Sequence, residues 1–155
     1  MGDCWRFWFL DFVLQLLLYE KKDIKLIIME KFRKILVIVG GINFLLFGLY
    51  HLSFWFFPEW KSELIKLTEL IGNMIRMLNI GLSVFLLAFG FIMLFYRREI
   101  LSSKLGRALL IVFSLFWLAR LIGEFVFPGG SIIVGVILFL LVLIYLIPAI
   151  ITKKQ

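Results

Sequence analysis

One uncharged run near the end of the chain constrains the fold more than any other feature. Residues 131–151 read SIIVGVILFLLVLIYLIPAII and contain no Asp, Glu, Lys or Arg. An α-helix needs about 20 consecutive apolar residues to cross ~30 Å of hydrocarbon. This run therefore predicts a transmembrane helix.

Three earlier runs have the same character, and together they predict spans over residues 35–57, 77–96, 108–127 and 131–151. The whole chain is 63% apolar, against about 45–50% in soluble domains. Only Pro128, Gly129 and Gly130 separate the last two spans, which indicates a tight antiparallel hairpin. We predict an all-α membrane protein, an antiparallel four-helix transmembrane bundle.

Basic residues are distributed unevenly around these spans. From residue 21 onwards, twelve lie before span one, between spans two and three, or after span four, whereas three lie between spans one and two. Because basic loops stay in the cytoplasm, we predict a multi-pass protein of the cell membrane with both termini cytoplasmic. The same rule explains the net charge of +7 without a nucleic acid partner, and no aromatic-basic module for RNA or DNA is present.

Two segments outside the spans carry predictions of their own. Residues 58–76 repeat apolar side chains every three or four positions, which predicts an amphipathic helix on the outer surface that runs into span two. Residues 1–28 precede the transmembrane domain of residues 29–155. They are predicted to form a helix lying on the membrane surface, or to be untranslated if synthesis starts at Met29.

Cysteine and histidine are too scarce for several kinds of site. The only cysteine is Cys4 and the only histidine is His51. A single chain therefore lacks the residues for an internal disulfide, a CxxC redox centre, a Cys-rich metal site or a bis-histidine haem. We expect no metal, no cofactor and no enzymatic activity, although a quinone ligand stays open without a motif to support it.

Several polar residues fall within the spans, on the stripes expected to face the bundle interior. At 1.5 Å per residue, those of spans one, two and three reach similar depths in the outer half of the membrane. The predicted polar cluster consists of Arg120, Glu124, His51, Asn79 and Arg76, with Trp117 and Tyr50 beside them. Asn43, nearer the middle of span one, is expected to make an interhelical hydrogen bond.

Two interpretations of this cluster are open. Arg120 can snorkel outward and pair with Glu124, four residues later, so that the pair only locks the helices together. Alternatively, the cluster is a polar pocket open to the outer face that binds a headgroup, a quinone or a small solute. Coupling to protons through Glu124 or His51 is a third interpretation.

The segment KLGRALLIVFSLFWLARLIGEF, residues 104–125, and the FPGG turn after it resemble the small four-span bacterial membrane proteins loosely called DoxX-like. The resemblance covers residues 29–152 and rests on the span layout, the basic LGRALL entry and Arg120 within the span. It implies four helices in the cytoplasmic membrane. For some relatives it also implies association with membrane redox or quinone metabolism.

The leading hypothesis is a non-enzymatic accessory or small-ligand-binding bundle. The alternatives are a proton-coupled transporter acting as a homodimer, with Glu124 titrating, and a subunit of a quinone-linked redox enzyme, with Arg120 or His51 binding a quinone carbonyl. The expected partners are the lipid bilayer and either a membrane protein or a second copy of the chain.

Overall fold

The computed structural model describes the backbone of residues 4–151 and the side chains of residues 24–151. Within that range it is helical and has no strand. The helices are α1 Cys4–Ser53, α2 Pro58–Ile65, α3 Glu69–Phe95, α4 Arg97–Ser102, α5 Lys104–Val126 and α6 Ile132–Ile150. The four long segments Ile24–Phe56, Glu69–Phe95, Lys104–Val126 and Ile132–Ile150 are each apolar enough to cross a membrane. The predicted all-α bundle with four spans is confirmed.

The first helix is much longer than its predicted span. It continues without a break through Met29 and covers 50 residues, about 75 Å at 1.5 Å per residue. Its amino-terminal part, from Cys4 onwards, belongs to the predicted extension of residues 1–28, most of whose side chains fall outside the described residues. Lys153 and Lys154, which contribute to the predicted orientation, lie outside them as well.

The predicted amphipathic segment is divided into two helices. The prediction of one helix over residues 58–76 is corrected to α2 and the first turns of α3, separated at residues 66–68. The chain turns because Thr68 adopts an extended conformation, with ψ of 148°, as the N-cap of α3. Leu64 of α2 is buried, whereas Ile71 and Met74 of α3 are exposed. The apolar repeat therefore belongs partly to the short helix α2 and partly to the exposed face of α3, which is one of the four spans.

Helix α1 is the central helix of the bundle. It packs against α3 and α6, and α5 packs mainly against α6. Around the ring of Phe44 lie Phe113 at 4.9 Å and Tyr145 at 5.0 Å between ring centroids. Asn43 donates a hydrogen bond to the Tyr145 hydroxyl, which in turn donates to the Gly40 carbonyl. The interhelical hydrogen bond predicted for Asn43 is thus present.

The bundle has two ends, a turn end and a basic end. The turn end holds α2, the carboxyl end of α1 and the α5–α6 connection. The basic end holds α4, the amino terminus of α5 and the carboxyl end of α6. These three meet near Arg33 of α1, which is bonded to carbonyl groups of residues 101 and 148.

Close backbone contact joins α4 to α5 at the basic end. The Ser103 hydroxyl caps α5 by accepting a hydrogen bond from the Gly106 N–H at 2.9 Å. A Cβ atom placed on Gly106 would overlap the backbone of Ile100. Only a glycine at position 106 allows α4 and α5 to approach so closely.

Replacing Gly106 by alanine is expected to lower the free energy of unfolding by about 2 kcal/mol, because the added methyl must displace backbone atoms. The matched control is Gly81→Ala, since a Cβ at Gly81 meets no atom within 4 Å and alanine favours a helix by about 1 kcal/mol over glycine. Thermal unfolding in detergent, followed by circular dichroism, measures both. Equal midpoints for the two variants would contradict the close contact.

Candidate functional site

Arg120 and Glu124 form a salt bridge near the turn end of α5. The guanidinium Nη1 of Arg120 lies 2.8 Å from Oε2 of Glu124. The Arg120 side chain is 54% exposed and the Glu124 side chain is 10% exposed. The arginine therefore extends outward while its partner points into the protein, as expected for a snorkelling cation beside a buried acid.

The second carboxylate oxygen of Glu124 has a different partner. Oε1 accepts a hydrogen bond at 2.9 Å from the backbone N–H of Ser131, the N-cap residue of α6. A negative charge is favourable near a helix amino terminus. The carbonyl of Glu124 also lies so close to Gly130 that a Cβ there would overlap it. Glu124 thus closes the α5–α6 hairpin with both its backbone and its side chain.

His51 and Asn79 form a second polar pair, between α1 and α3. Nδ1 of His51 lies 2.8 Å from Oδ1 of Asn79, and the Asn79 amide donates to the His51 carbonyl at 2.9 Å. One turn later in α3, the Ser83 hydroxyl donates a hydrogen bond to the backbone carbonyl of Asn79 at 2.7 Å. Two hydrogen bonds between the same two residues fix the rotation of α3 against α1, a common use of polar residues between transmembrane helices.

The other three predicted residues lie apart from these pairs. Arg76 donates to Asn73 on its own helix, and Tyr50 is exposed with its ring against Phe54. Trp117 is buried in the core, and its indole Nε1 has no hydrogen-bond partner in the described structure.

The predicted polar cluster is therefore divided. No hydrogen bond or salt bridge in the described part of the chain joins the Arg120–Glu124 pair to the His51–Asn79 pair. The cavity at the basic end and the cavity between α3 and α5 are lined by other residues. The contacts of each pair support a role in packing.

A cavity of about 710 Å³ opens at the basic end instead. Its wall comes from α1, α4, α5 and α6, and we call it the basic pocket. The lining residues are Glu30, Arg33, Lys34, Arg98, Ile100, Leu101, Ser102, Ser103, Lys104, Arg107, Leu110 and Pro148. Five of them are cationic and one is acidic, so the formal charge of the wall is 5 − 1 = +4.

Arg33 lies at the base of the basic pocket and holds it together. Its side chain is buried, and it donates from Nε to the Pro148 carbonyl at 3.3 Å and from Nη2 to the Leu101 carbonyl at 3.1 Å. A guanidinium can serve several acceptors at once because its five N–H donors point in fixed directions. Arg33 therefore joins α1 to the ends of α4 and α6.

The remaining cations face the opening. Lys34 pairs with Glu30 at 3.2 Å, whereas Arg98, Lys104 and Arg107 are exposed. The side chains of these three have no hydrogen bond or salt bridge to any part of the chain that the structure describes. Unpaired cations beside a concave wall attract anions, so the basic pocket is the better candidate for a binding site.

Sequence reasoning treated these residues as orientation signals and, for Arg107, as part of the DoxX-like resemblance, but not as a binding site. Residues 33, 34, 98, 104 and 107 are separated by up to 74 positions, and nothing in their spacing predicts a shared cavity. The available signal was the density of basic residues between spans two and three, together with Arg33 at the start of the apolar run of span one.

A second cavity, of about 720 Å³, lies between α3 and α5 towards the turn end. Met77, Leu82, Phe85 and Phe116 are among the residues that line it, and all of its lining residues are apolar or glycine. None of these lining residues has a polar or charged side chain that could select a ligand. Among residues 24–151, no group of three or more His, Cys, Asp or Glu side chains could hold a metal.

Comparisons with protein-family models, with curated proteins and with solved structures give no match. The resemblance to DoxX-like proteins therefore stays a prediction.

Removing Arg120 tests the structural role of its salt bridge. In Arg120→Leu the buried carboxylate keeps only the Ser131 N–H, and we expect a loss of about 1–3 kcal/mol in unfolding free energy. Adding Glu124→Gln should restore much of that loss, because the amide oxygen still accepts from Ser131 without a charge. Chemical unfolding in mixed detergent measures both variants.

Arg76→Leu is the matched control, since Arg76 bonds only within α3, and its effect should stay within about 0.5 kcal/mol. Full stability of Arg120→Leu would contradict the structural role and return Arg120 to the list of candidate ligand contacts.

Proposed function

We propose that this protein is a non-enzymatic accessory or ligand-binding bundle of the cell membrane, which holds an anionic ligand in the basic pocket. The supporting observation is a cavity of about 710 Å³ with five cations and one carboxylate in its wall. Sites that bind small ligands are concave and carry a few convergent polar groups.

The arrangement of the cations favours binding over mere solubility. They come from three separate helices, α1, α4 and α5, and Arg33 is fixed by two backbone carbonyls. Like charges brought together in one cavity repel each other. An anion in the pocket relieves this repulsion, and guanidinium groups can bind its oxygens in a bidentate manner.

The positions of the other polar residues favour this proposal over the two alternatives. Both oxygens of Glu124, the residue proposed to titrate in a transporter, are engaged within one hairpin. His51 is engaged by Asn79. Each pair has a structural role that explains its presence, whereas three cations of the basic pocket have no partner among the residues that the structure describes.

The proposal places the basic pocket on the cytoplasmic side, with both termini there as well. From residue 21 onwards, twelve basic residues flank the spans on that side, against three on the other, in the pattern of the positive-inside rule. A ligand from the cytoplasm or from the cytoplasmic leaflet would reach the basic pocket directly.

Cysteine labelling tests this orientation. In a Cys4→Ser background, we expect a membrane-impermeant maleimide added to intact cells to label Ser62→Cys, which is exposed in α2. Ser102→Cys, exposed at the basic end, should react only after permeabilisation. The reverse pattern would place the basic pocket outside and overturn the proposed orientation.

Inorganic pyrophosphate, a small probe with several anionic oxygens, tests the pocket itself. With delipidated protein in detergent, pyrophosphate should raise the midpoint of thermal unfolding, since a ligand that binds only the folded state stabilises it. In Lys104→Gln/Arg107→Gln the affinity should fall about tenfold or more, because two charge-assisted contacts are lost.

The control Lys61→Gln/Arg76→Gln removes the same two residue types from the opposite end of the bundle and should bind as the wild type does. The pocket variant should fold normally, because cations near the amino terminus of α5 are not favoured by its helix dipole. No pyrophosphate effect in any of the proteins, or equal effects in all three, would overturn the proposed function.

A further inference from the structure

We propose that the anion bound in the basic pocket is the phosphate headgroup of a membrane phospholipid, whose acyl chains lie along the adjoining surface of α5. This inference rests on the proposed function and names the class of ligand. Three features of the pocket carry it: its level along the bundle, its mixed lining and its charge.

The level of the basic pocket matches that of lipid phosphates. Two of its cations lie where apolar helices begin or end: Lys104 is the first residue of α5, and Arg98 lies in α4, just beyond the end of α3. Pro148 of the wall is two residues from the end of α6. The headgroup region of a bilayer lies at the ends of its transmembrane helices, and basic pockets between helices at this level suit anionic headgroups.

The lining of the basic pocket is amphiphilic. Beside the cations, the wall includes Ile100, Leu101, Leu110 and Pro148. A free soluble anion gains nothing from these apolar side chains. The glycerol backbone and the first methylenes of a phospholipid would pack against them and keep the apolar part of the wall covered.

An apolar path leads away from the cations along α5. Ile111 and Leu115 follow Arg107 at intervals of four residues, so they lie on one face of the helix. They are 40% and 56% exposed, and in a membrane this face contacts lipid. The path runs from the charged opening towards the centre of the membrane, which is the direction of an acyl chain below its phosphate.

The charge of the pocket further restricts the headgroup. A wall of formal charge +4 is neutralised better by two negative charges than by one. The amino terminus of α5 adds a partial positive charge at the same place. We therefore expect lipids with two negative charges, such as cardiolipin or phosphatidic acid, to bind more tightly than phosphatidylglycerol, and phosphatidylcholine to bind least.

Native mass spectrometry of the purified, delipidated full chain tests this inference. The protein is incubated with cardiolipin, phosphatidylglycerol or phosphatidylcholine, and the retained lipids are counted as the collision energy is raised. We expect one cardiolipin to be retained per chain at energies that remove phosphatidylcholine. In Lys104→Gln/Arg107→Gln the apparent dissociation constant for cardiolipin should rise about tenfold or more.

Two controls separate a specific site from general charge or misfolding. Lys61→Gln/Arg76→Gln should retain cardiolipin as the wild type does. The charge-preserving variant Lys104→Arg/Arg107→Lys should also retain it, and this result would show that substitutions at these positions leave the fold intact.

The outcomes distinguish this inference from the proposed function. Equal cardiolipin retention in the wild type and the pocket variant overturns the lipid assignment, because the lipid would then be only annular. If pyrophosphate binding still depends on Lys104 and Arg107, the anion site stands and its ligand is soluble. If neither pyrophosphate nor cardiolipin depends on them, both proposals fail.

Discussion

Water is absent from most of the surroundings of this chain, and that constraint determines its architecture. In hydrocarbon every backbone N–H and carbonyl needs a hydrogen-bond partner within the protein. An α-helix provides these partners within a single segment, so a short chain can span the membrane as helices. With the backbone satisfied internally, the few polar side chains are free to act between helices. In the described residues they do so at few places: Asn43 with Tyr145, and Ser114 with the Val142 carbonyl, lie in the middle, and other contacts lie towards the two ends.

The two ends of the bundle treat charge in opposite ways. At the turn end, Glu124 is neutralised by Arg120 and by the Ser131 N–H, and the result is a closed hairpin. At the basic end, one cation is bonded to carbonyl groups and a second pairs with Glu30. Three more face an open cavity without a partner in the described residues. The charged groups of the closed hairpin are thus paired, whereas three cations of the basic pocket are not paired within the described residues. The proposed function depends on this difference between the two ends.

The fold was predictable from the sequence because span length and hydropathy are properties of single segments. The binding site was not, because it depends on which residues of different helices meet. Helical periodicity places Arg120 and His51 on inward stripes, but it does not fix the rotation of α5 relative to α1, and the two residues join separate pairs. In the same way Arg33 and Arg107 are distant in sequence, and only the packing of α1 against the α4–α5 corner brings them to one cavity.

The contact between Gly106 and Ile100 has a consequence for how this chain can vary in length. With α4 held against the first turn of α5, the residues from Arg97 to Ser103 act as a spacer of fixed register. One inserted residue would rotate α5 by about 100° about its axis. That rotation would carry Arg107 away from Arg33 and would turn the Phe113 face out of the core. Insertions should therefore be tolerated in the connection between α1 and α3, residues 54–68. The α4–α5 corner at the basic end should keep its length.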